Sequence, residues 1–445
     1  MSLFSIQSFT KGLKNLSHDP VNAYQLYQAG RYLTSILISI FLVKSGLTGD
    51  EVGHFELLLF IAVTVSFFWT VGIQNALVSY YPTILEGDQL KTLQTVFLIL
   101  VLIGFVLGLI VLVFPQWVIG VFKSEGRIDS LPLVALFVMV SAPLLMIENI
   151  LLLRKQSTSI IRYTIISLSA TILLIGSIAM SAPEVKNFLL CLIAVAALRL
   201  VYLLYLLDIF KGVMIEKKVF ITFFIFAMPL IFNTLISSLM DMVDGWFVSR
   251  YFSAADFAVF RYGARELPFS NVLYSSLSVA MIPFLGSGTS SLTVLKSKAT
   301  KWMHILFPVS IVLMFISPLL FSGIFNPSYK TSAFIFNIYL LILTSRVLLP
   351  QAYNFAKHQH KVIIWSGILE LICNILLSYW WMHIWGMYGL ALATVVAYFI
   401  QKAILIVYNR TYNGIPFSSY IEMKYYLIYS MLSIFALYLS FRFFA

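Results

Sequence analysis

Charge is scarce in this chain. Only 11% of its 445 residues are Asp, Glu, Lys or Arg, against ~25% in a soluble domain. Cysteine is nearly absent too. Cys191 and Cys373 lie far apart inside apolar runs, which excludes a disulfide framework and a cysteine metal cluster. Residues 1–20 contain no apolar h-region, so no cleavable signal peptide is read and the first span is expected to act as the signal. The glycines of Gly286-Ser-Gly288-Thr289 are not followed by Gly-Lys-Ser/Thr, so no nucleotide-binding loop is present. His358-Gln-His360 has no third ligand beside it, and no metal site is expected there. No other cofactor is expected. What fills the chain instead is apolar surface. Hydrophobic types make up 60%, more than one globular core absorbs, since single cores stop growing near ~250–300 residues. A soluble enzyme is excluded. At ~20 residues per crossing, the chain has room for about 12–14 spans.

Thirteen apolar stretches emerge: 24–44, 55–81, 92–122, 131–153, 159–181, 187–210, 219–249, 257–285, 302–325, 333–355, 362–384, 387–408 and 425–443. The long runs 92–122 and 219–249 carry Pro115 and Pro229 as points where a helix can break. The net charge is +11, but the basic residues stand singly between apolar runs. They therefore mark topology rather than nucleic acid. With the N-terminus placed in the cytoplasm, sixteen fall inside: Lys11, Lys14, Lys91, Arg154, Lys155, Arg162, Lys211, Lys217, Lys218, Lys296, Lys298, Lys301, Lys357, Lys361, Arg410 and Lys424. Seven fall outside: Lys44, Lys123, Arg127, Lys186, Arg250, Lys330 and Arg442. This asymmetry sets the N-terminus inside, and an odd span count sets the C-terminus outside. Trp380, Trp381 and Trp385 cluster at one expected interface. Within residues 1–20, Phe4, Ile6, Phe9, Leu13 and Leu16 recur at helical spacing. They fit either an amphipathic helix on the cytoplasmic leaflet or a frayed polar tail.

A repeat runs through the sequence. Val43 to Phe55 follows the first span and Val248 to Phe260 follows the seventh, 205 residues on. Valine, a hydroxyl, an acid, a small residue and phenylalanine match in register. Part of the match is helix capping, because Thr48 with Glu51 and Ser253 with Asp256 each place an acid three residues after a hydroxyl. Six spans separate the stretches, so the two halves share one orientation, as in transporters with parallel repeats. The expected fold is an all-α polytopic membrane protein of two like-oriented six-helix bundles around a central cavity. Its parts are an N-terminal segment (1–20), bundles over 21–210 and 219–410, a cytoplasmic linker (211–218) and an extra C-terminal span (411–445).

Several motifs resemble one superfamily. Gly53 with Gly72-Ile-Gln-Asn-Ala-Leu-Val-Ser-Tyr-Tyr-Pro82 is similar to the first helical pair of the MOP exporters, which include polysaccharide (Wzx-type) flippases, lipid II flippases and MATE drug exporters. Pro229 and Asp244, then Tyr262-Gly-Ala-Arg265-Glu-Leu-Pro268, resemble the start of the second half in lipid II flippases. Asn374-Ile-Leu-Leu and Gly386-Met-Tyr-Gly389-Leu-Ala-Leu-Ala-Thr394 resemble a late segment of the superfamily. The resemblance covers about residues 21–410. It departs from the common fourteen-span pattern by stopping after thirteen.

Five arginines and five acids then stand within or at the edge of spans. They are Arg31, Arg199, Arg261, Arg265 and Arg346, with Glu148, Asp241, Asp244, Glu266 and Glu370. A charge at the bilayer centre costs ~2.5–3.5 kcal/mol on insertion scales, so each needs a reason. Arg261 and Arg265 are four apart, and Asp241 and Asp244 three apart, so each pair is expected to share a helix face. A guanidinium fork suits phosphate oxygens. Arg31, Arg265, Arg346 and Arg261 are accordingly the candidate contacts to an anionic substrate. The resemblance places Arg31 and Arg265 among arginines lining a central cavity. Arg199 is read either as such a contact or as an interhelical partner of Glu148. Asp244, Asp241, Glu148 and Glu370 have two readings: carriers of a proton or cation, or counter-ions of the arginines.

The resemblance implies a flippase that moves an undecaprenyl-diphosphate-linked oligosaccharide (an O-antigen, capsule or exopolysaccharide unit) across the bacterial inner membrane. Alternating access, a proton or sodium coupling ion, surrounding membrane lipid and a monomer go with that expectation, and catalysis does not. A MATE-type exporter of cationic drugs is the alternative in the same fold, although it wants a carboxylate in the first span, where this chain has Arg31. A membrane polysaccharide ligase or polymerase is a third reading. It needs a substantial outside loop, and the longest expected here, Lys44 to His54, has about eleven residues.

Overall fold

The computed structural model describes residues 19–122, 130–213, 216–267, 270–287 and 290–444. The stretch 4–16 lies outside them, as do Pro268, Gly288 and Thr289. Among the described residues all regular structure is helical, and the chain forms two compact units, Met1–Ser238 and Leu239–Ala445.

The first unit opens with α1 (Pro20–Lys44), which the Asp19 side chain caps by accepting from the Val21 N–H at 2.9 Å. Helix α2 (Gly49–Tyr80) starts on a capping box. The Thr48 hydroxyl accepts from the Glu51 N–H at 3.3 Å, and the Glu51 carboxylate accepts from the Thr48 N–H at 2.8 Å. Proline divides the 92–122 run as expected, into α3 (Gln89–Val113) and α4 (Pro115–Phe122). The expected span 131–153 is likewise two pieces, α5 (Leu131–Ser141) and α6 (Met146–Leu153). Helices α7 (Ser157–Ser181) and α8 (Val185–Leu206) follow. Helix α1 lies along α7, and α5 lies against α3 and α8. A Cβ on Gly104 would stand 2.6 Å from that of Ala142, which explains the small residue there as a helix-packing position. The linker after α8 is fastened to α3. The Gln94 amide donates to the carbonyls of Leu207 (2.9 Å) and Gly212 (3.1 Å), and Lys91 pairs with Glu216. That ammonium holds the Glu216 carboxyl below its ordinary range. Helix α9 (Lys217–Tyr251) then runs unbroken through Pro229, and its residues from Leu239 onward belong to the second unit.

The second unit repeats the capping box. The Ser253 hydroxyl accepts from the Asp256 N–H at 3.1 Å at the start of α10 (Ala254–Gly263). Next come α11 (Ser270–Ser287), α12 (Ser290–Ile324), α13 (Lys330–Leu340), α14 (Leu343–Arg346), α15 (Pro350–Ala356), α16 (His360–Asn413) and α17 (Met423–Phe444). Helix α13 packs against α10, α12 and α16, and α17 lies along α12.

Helix α16 has 54 residues, about 80 Å at 1.5 Å per residue, far more than a ~30 Å hydrocarbon layer. It folds back on itself. Gly386 sits at φ 58° and ψ −137°, outside the helical region and open chiefly to glycine. Across the turn, a Cβ on Gly389 would collide with the Trp381 carbonyl, and the Thr394 hydroxyl reaches the Asn374 side-chain oxygen at 3.4 Å. Amides join the far ends of the two arms to each other and to the neighbouring α15 and Tyr420. Asn354 donates to Asn409 at 2.7 Å, Asn409 donates to the Tyr420 hydroxyl at 2.8 Å, and Gln359 donates to Asn413 at 3.0 Å. Replacing Gly389 by Ala is expected to destabilise the protein by about 1–3 kcal/mol through overpacking against backbone. Thermal unfolding in detergent measures the loss.

Ten described helices are long and apolar enough to cross a membrane, or eleven if the bent pair Pro327–Arg346 and Pro350–Ala356 counts as one span. The sequence reading expects thirteen. The difference has two physical sources. Helix α16 holds two expected spans in one element, and the expected span 257–285 is interrupted, with α10 ending at Gly263 and α11 starting at Ser270.

Candidate functional site

In the first unit the buried charge centres on Glu148 of α6. Its side chain is 3% exposed, whereas that of Arg31, halfway along α1, is 49% exposed. The Arg31 Nη1 stands 4.0 Å from Glu148 Oε1, and the Tyr27 hydroxyl donates to the same oxygen at 3.2 Å. Tyr27 lies one turn before Arg31, and its ring centre is 6.0 Å from the guanidinium carbon. Of the two readings of Arg199, the ion pair with Glu148 is not formed. Arg199 of α8 donates instead to the Thr171 hydroxyl of α7 at 3.0 Å. Beside this group the Asn149 amide donates to Gln74 at 2.9 Å.

In the second unit Arg346, at the end of α14, makes a two-pronged bond to Glu266. Its Nε donates to Oε2 at 3.1 Å and its Nη2 to Oε1 at 2.5 Å. The guanidinium also lies 4.5 Å from the Tyr398 ring centre, within cation–π range. The expected shared face of Arg261 and Arg265 is corrected. Helix α10 ends at Gly263, and Ala264 turns out of it at ψ 62°. Arg261 is therefore helical, while Arg265 stands in the following loop with its guanidinium 6.0 Å from the Tyr262 ring centre.

Asp241 and Asp244 differ in burial. Both lie on α9, but Asp241 is exposed and Asp244 is 6% exposed. Asp241 nevertheless faces the charges of Arg346, Glu266 and Arg261 and lies near Asp244, so the two keep to one side of the helix as a three-residue step allows. Asp244 Oδ2 accepts from the Tyr339 hydroxyl of α13 and from the Thr394 hydroxyl at 2.6 Å. Its Oδ1 and the Asn374 Nδ2 are buried without hydrogen-bond partners. The Asn374 side-chain oxygen accepts from Ser378 at 3.0 Å. Glu370 is buried, with Oε1 unpartnered.

Sequence reasoning missed Lys402, read as lying near a span end. It is 5% exposed and donates to Gln351 at 3.0 Å. The signal was available, because Glu370 and Lys402 each lie sixteen residues from Gly386 and a hairpin turning there sets them side by side. Tyr27 was also legible, one turn from Arg31. Tyr339 and Tyr398 had no local signal, since they reach their partners through tertiary packing.

This fold, with charged and hydroxyl side chains gathered inside helical units, is similar to that of solved transporters of the MOP superfamily. A solved structure titled "Lipid II flippase MurJ, inward closed conformation" superposes at a TM-score of 0.68 over 93% of this chain and 92% of that one, at 17% identity. A MATE protein in complex with MaD3S matches at 0.57 over 90% and 97%, with 12% identity. A MOP-superfamily transporter from Pyrococcus furiosus, whose title reports a binding pocket of reverse polarity, matches at 0.54 over 90% and 97%, with 13% identity. At these identities the likeness is one of fold. No curated protein sequence matches. The family is given by the sequence itself: the profile described as "Polysaccharide biosynthesis protein" matches residues 47–334, well over half the chain. The protein is a multi-pass membrane protein of that family.

Proposed function

We propose that the protein is a flippase for oligosaccharide linked to undecaprenyl diphosphate and works by alternating access in the bacterial inner membrane. The observation that carries this reading is Arg31, a half-exposed arginine midway along an apolar span in a polysaccharide biosynthesis protein. A diphosphate brings roughly two negative charges into a low-dielectric region, and a guanidinium offsets them with paired hydrogen bonds. Arg265, Arg261 and Arg346 are the further contacts in this reading, and Asp244, Asp241, Glu148 and Glu370 serve coupling to a proton or sodium ion or neutralise the arginines. The protein acts as a monomer with its N-terminus in the cytoplasm and catalyses no bond change.

The test is genetic complementation in a strain lacking its own flippase. Arg31→Ala and Arg265→Ala should each lower surface polysaccharide about tenfold or more, as loss of a charge-assisted phosphate contact of 1.5–3 kcal/mol requires, with normal membrane levels of protein. Wild-type polysaccharide in both variants overturns the reading. Drug resistance conferred by the chain in an exporter-deficient strain would favour the MATE alternative.

A further inference from the structure

The geometry points to Glu148 as a two-position counter-ion: it neutralises Arg31 when no anion is bound and turns to Arg199 when a phosphate takes Arg31. This inference rests on the reading of Arg31 as a headgroup contact. Two buried atoms carry it. Glu148 Oε2 accepts no hydrogen bond, and Arg199 Nε donates none. One is an acceptor and the other a donor, and both are desolvated within one helical unit. Leaving either unpaired costs about 1–3 kcal/mol, more for charged groups. The arrangement is therefore short of one ion pair that it has the parts to make.

Glu148 is held off that pair by what surrounds its other oxygen. Tyr27 donates to Oε1 at 3.2 Å, and Arg31 stands 4.0 Å away. That separation is too long for a hydrogen bond. Arg199 is drawn aside by its bond to Thr171. The charged and titratable groups facing Glu148 are Tyr24, Tyr27 and Arg31 of α1, Tyr163 of α7 and Arg199 of α8. The two arginines against one carboxylate leave the group at +1. A phosphate oxygen arriving at Arg31 supplies the second negative charge. Glu148 is then free to close on Arg199, and no buried charge is stranded at any stage. Arg199 is a positioning residue in this scheme and does not touch the substrate. The swap makes phosphate binding independent of proton uptake, because Glu148 always has a cation partner.

The test measures affinity for a polyprenyl diphosphate sugar, whose phosphate diester charges do not titrate near neutrality. The full chain is placed in phosphatidylcholine nanodiscs between about pH 6 and pH 8. Wild type should bind with an affinity that does not change with pH. In Arg199→Gln the destination of the swap is gone, so Glu148 has to take a proton on binding. Affinity should then fall by up to about tenfold per pH unit as pH rises. Arg199→Lys should restore the flat profile. Thr171→Val, which frees Arg199 for Glu148 before any anion arrives, should tighten binding several-fold and serves if Arg199→Gln does not fold. A flat profile in a folded Arg199→Gln that still needs Arg31, or looser binding in Thr171→Val, overturns the swap and leaves the headgroup reading standing. A sloping wild-type profile flattened by Glu148→Gln also overturns it, because Glu148 then takes a proton rather than a new partner. Unchanged affinity in Arg31→Ala overturns the headgroup reading itself.

Discussion

Glu266→Gln is expected to destabilise the protein by about 2–3 kcal/mol, slightly less than the ~3–5 kcal/mol typical when a fully buried ion pair loses one partner. The discount follows from exposure: the Arg346 and Glu266 side chains are 19% and 23% exposed. The loss arises because Arg346 keeps its charge and its desolvation while its two-pronged acceptor disappears. The Tyr398 ring, 4.5 Å from the guanidinium carbon, returns only part of this, on the order of 1 kcal/mol. Arg346→Lys is expected to fail as a conservative exchange, since an ammonium cannot span both carboxylate oxygens. The signature lies in the double variant. Glu266→Gln with Arg346→Gln removes both charges and should be more stable than Glu266→Gln alone. Thermal unfolding of wild type, Glu266→Gln, Arg346→Gln and the double variant in detergent closes the cycle. If the single variants add without coupling, the pair contributes nothing. The double variant also separates stability from transport: in the proposed reading it folds, yet moves less polysaccharide than wild type.

The apolar runs, the early stop at Pro115 and both capping boxes were readable from sequence, because each depends on residues within a few positions of one another. Pairing was less readable. Arg261 and Arg265 look like one helix face, but the helix between them ends at Gly263. Glu148 and Arg199 look like partners by sign alone, yet Glu148 lies with Arg31, because α6 meets α1 in three dimensions. The Asp244 group shows the limit most clearly. Asp244, Asn374 and Thr394 each stood in a recognisable motif, but their convergence depends on the reversal at Gly386, and Tyr339 joins them from a helix with no motif at all. The same reversal explains why Lys402 looked peripheral: its depth is set by the arm that folds back alongside Glu370, not by the nearest polar loop.

Asp244→Asn is expected to lower transport by about tenfold or more with little loss of folding, an effect of ~1.4 kcal/mol or larger on the productive cycle. Asn keeps the shape of Asp, so the Tyr339 and Thr394 hydroxyls retain an acceptor. What it loses is the negative charge and the ability of Oδ1, now without a partner, to receive a proton or a cation. If Asp244 only braced helices α9, α13 and α16, an amide of the same shape would serve nearly as well. If it carries the coupling ion, nothing but a carboxylate serves. Thr394→Val removes one hydrogen bond to Oδ2 and keeps the charge, so it should weaken transport less than Asp244→Asn while costing more stability, about 1–3 kcal/mol for a buried acceptor left short of a donor. The opposite ranking of the two variants in transport and in unfolding is the measurement that distinguishes coupling from bracing. Proteoliposomes with an imposed proton or sodium gradient supply the transport half. Acceleration by one gradient in wild type, absent in Asp244→Asn, identifies the ion. Equal rates for wild type and Asp244→Asn under both gradients remove Asp244 from the coupling path.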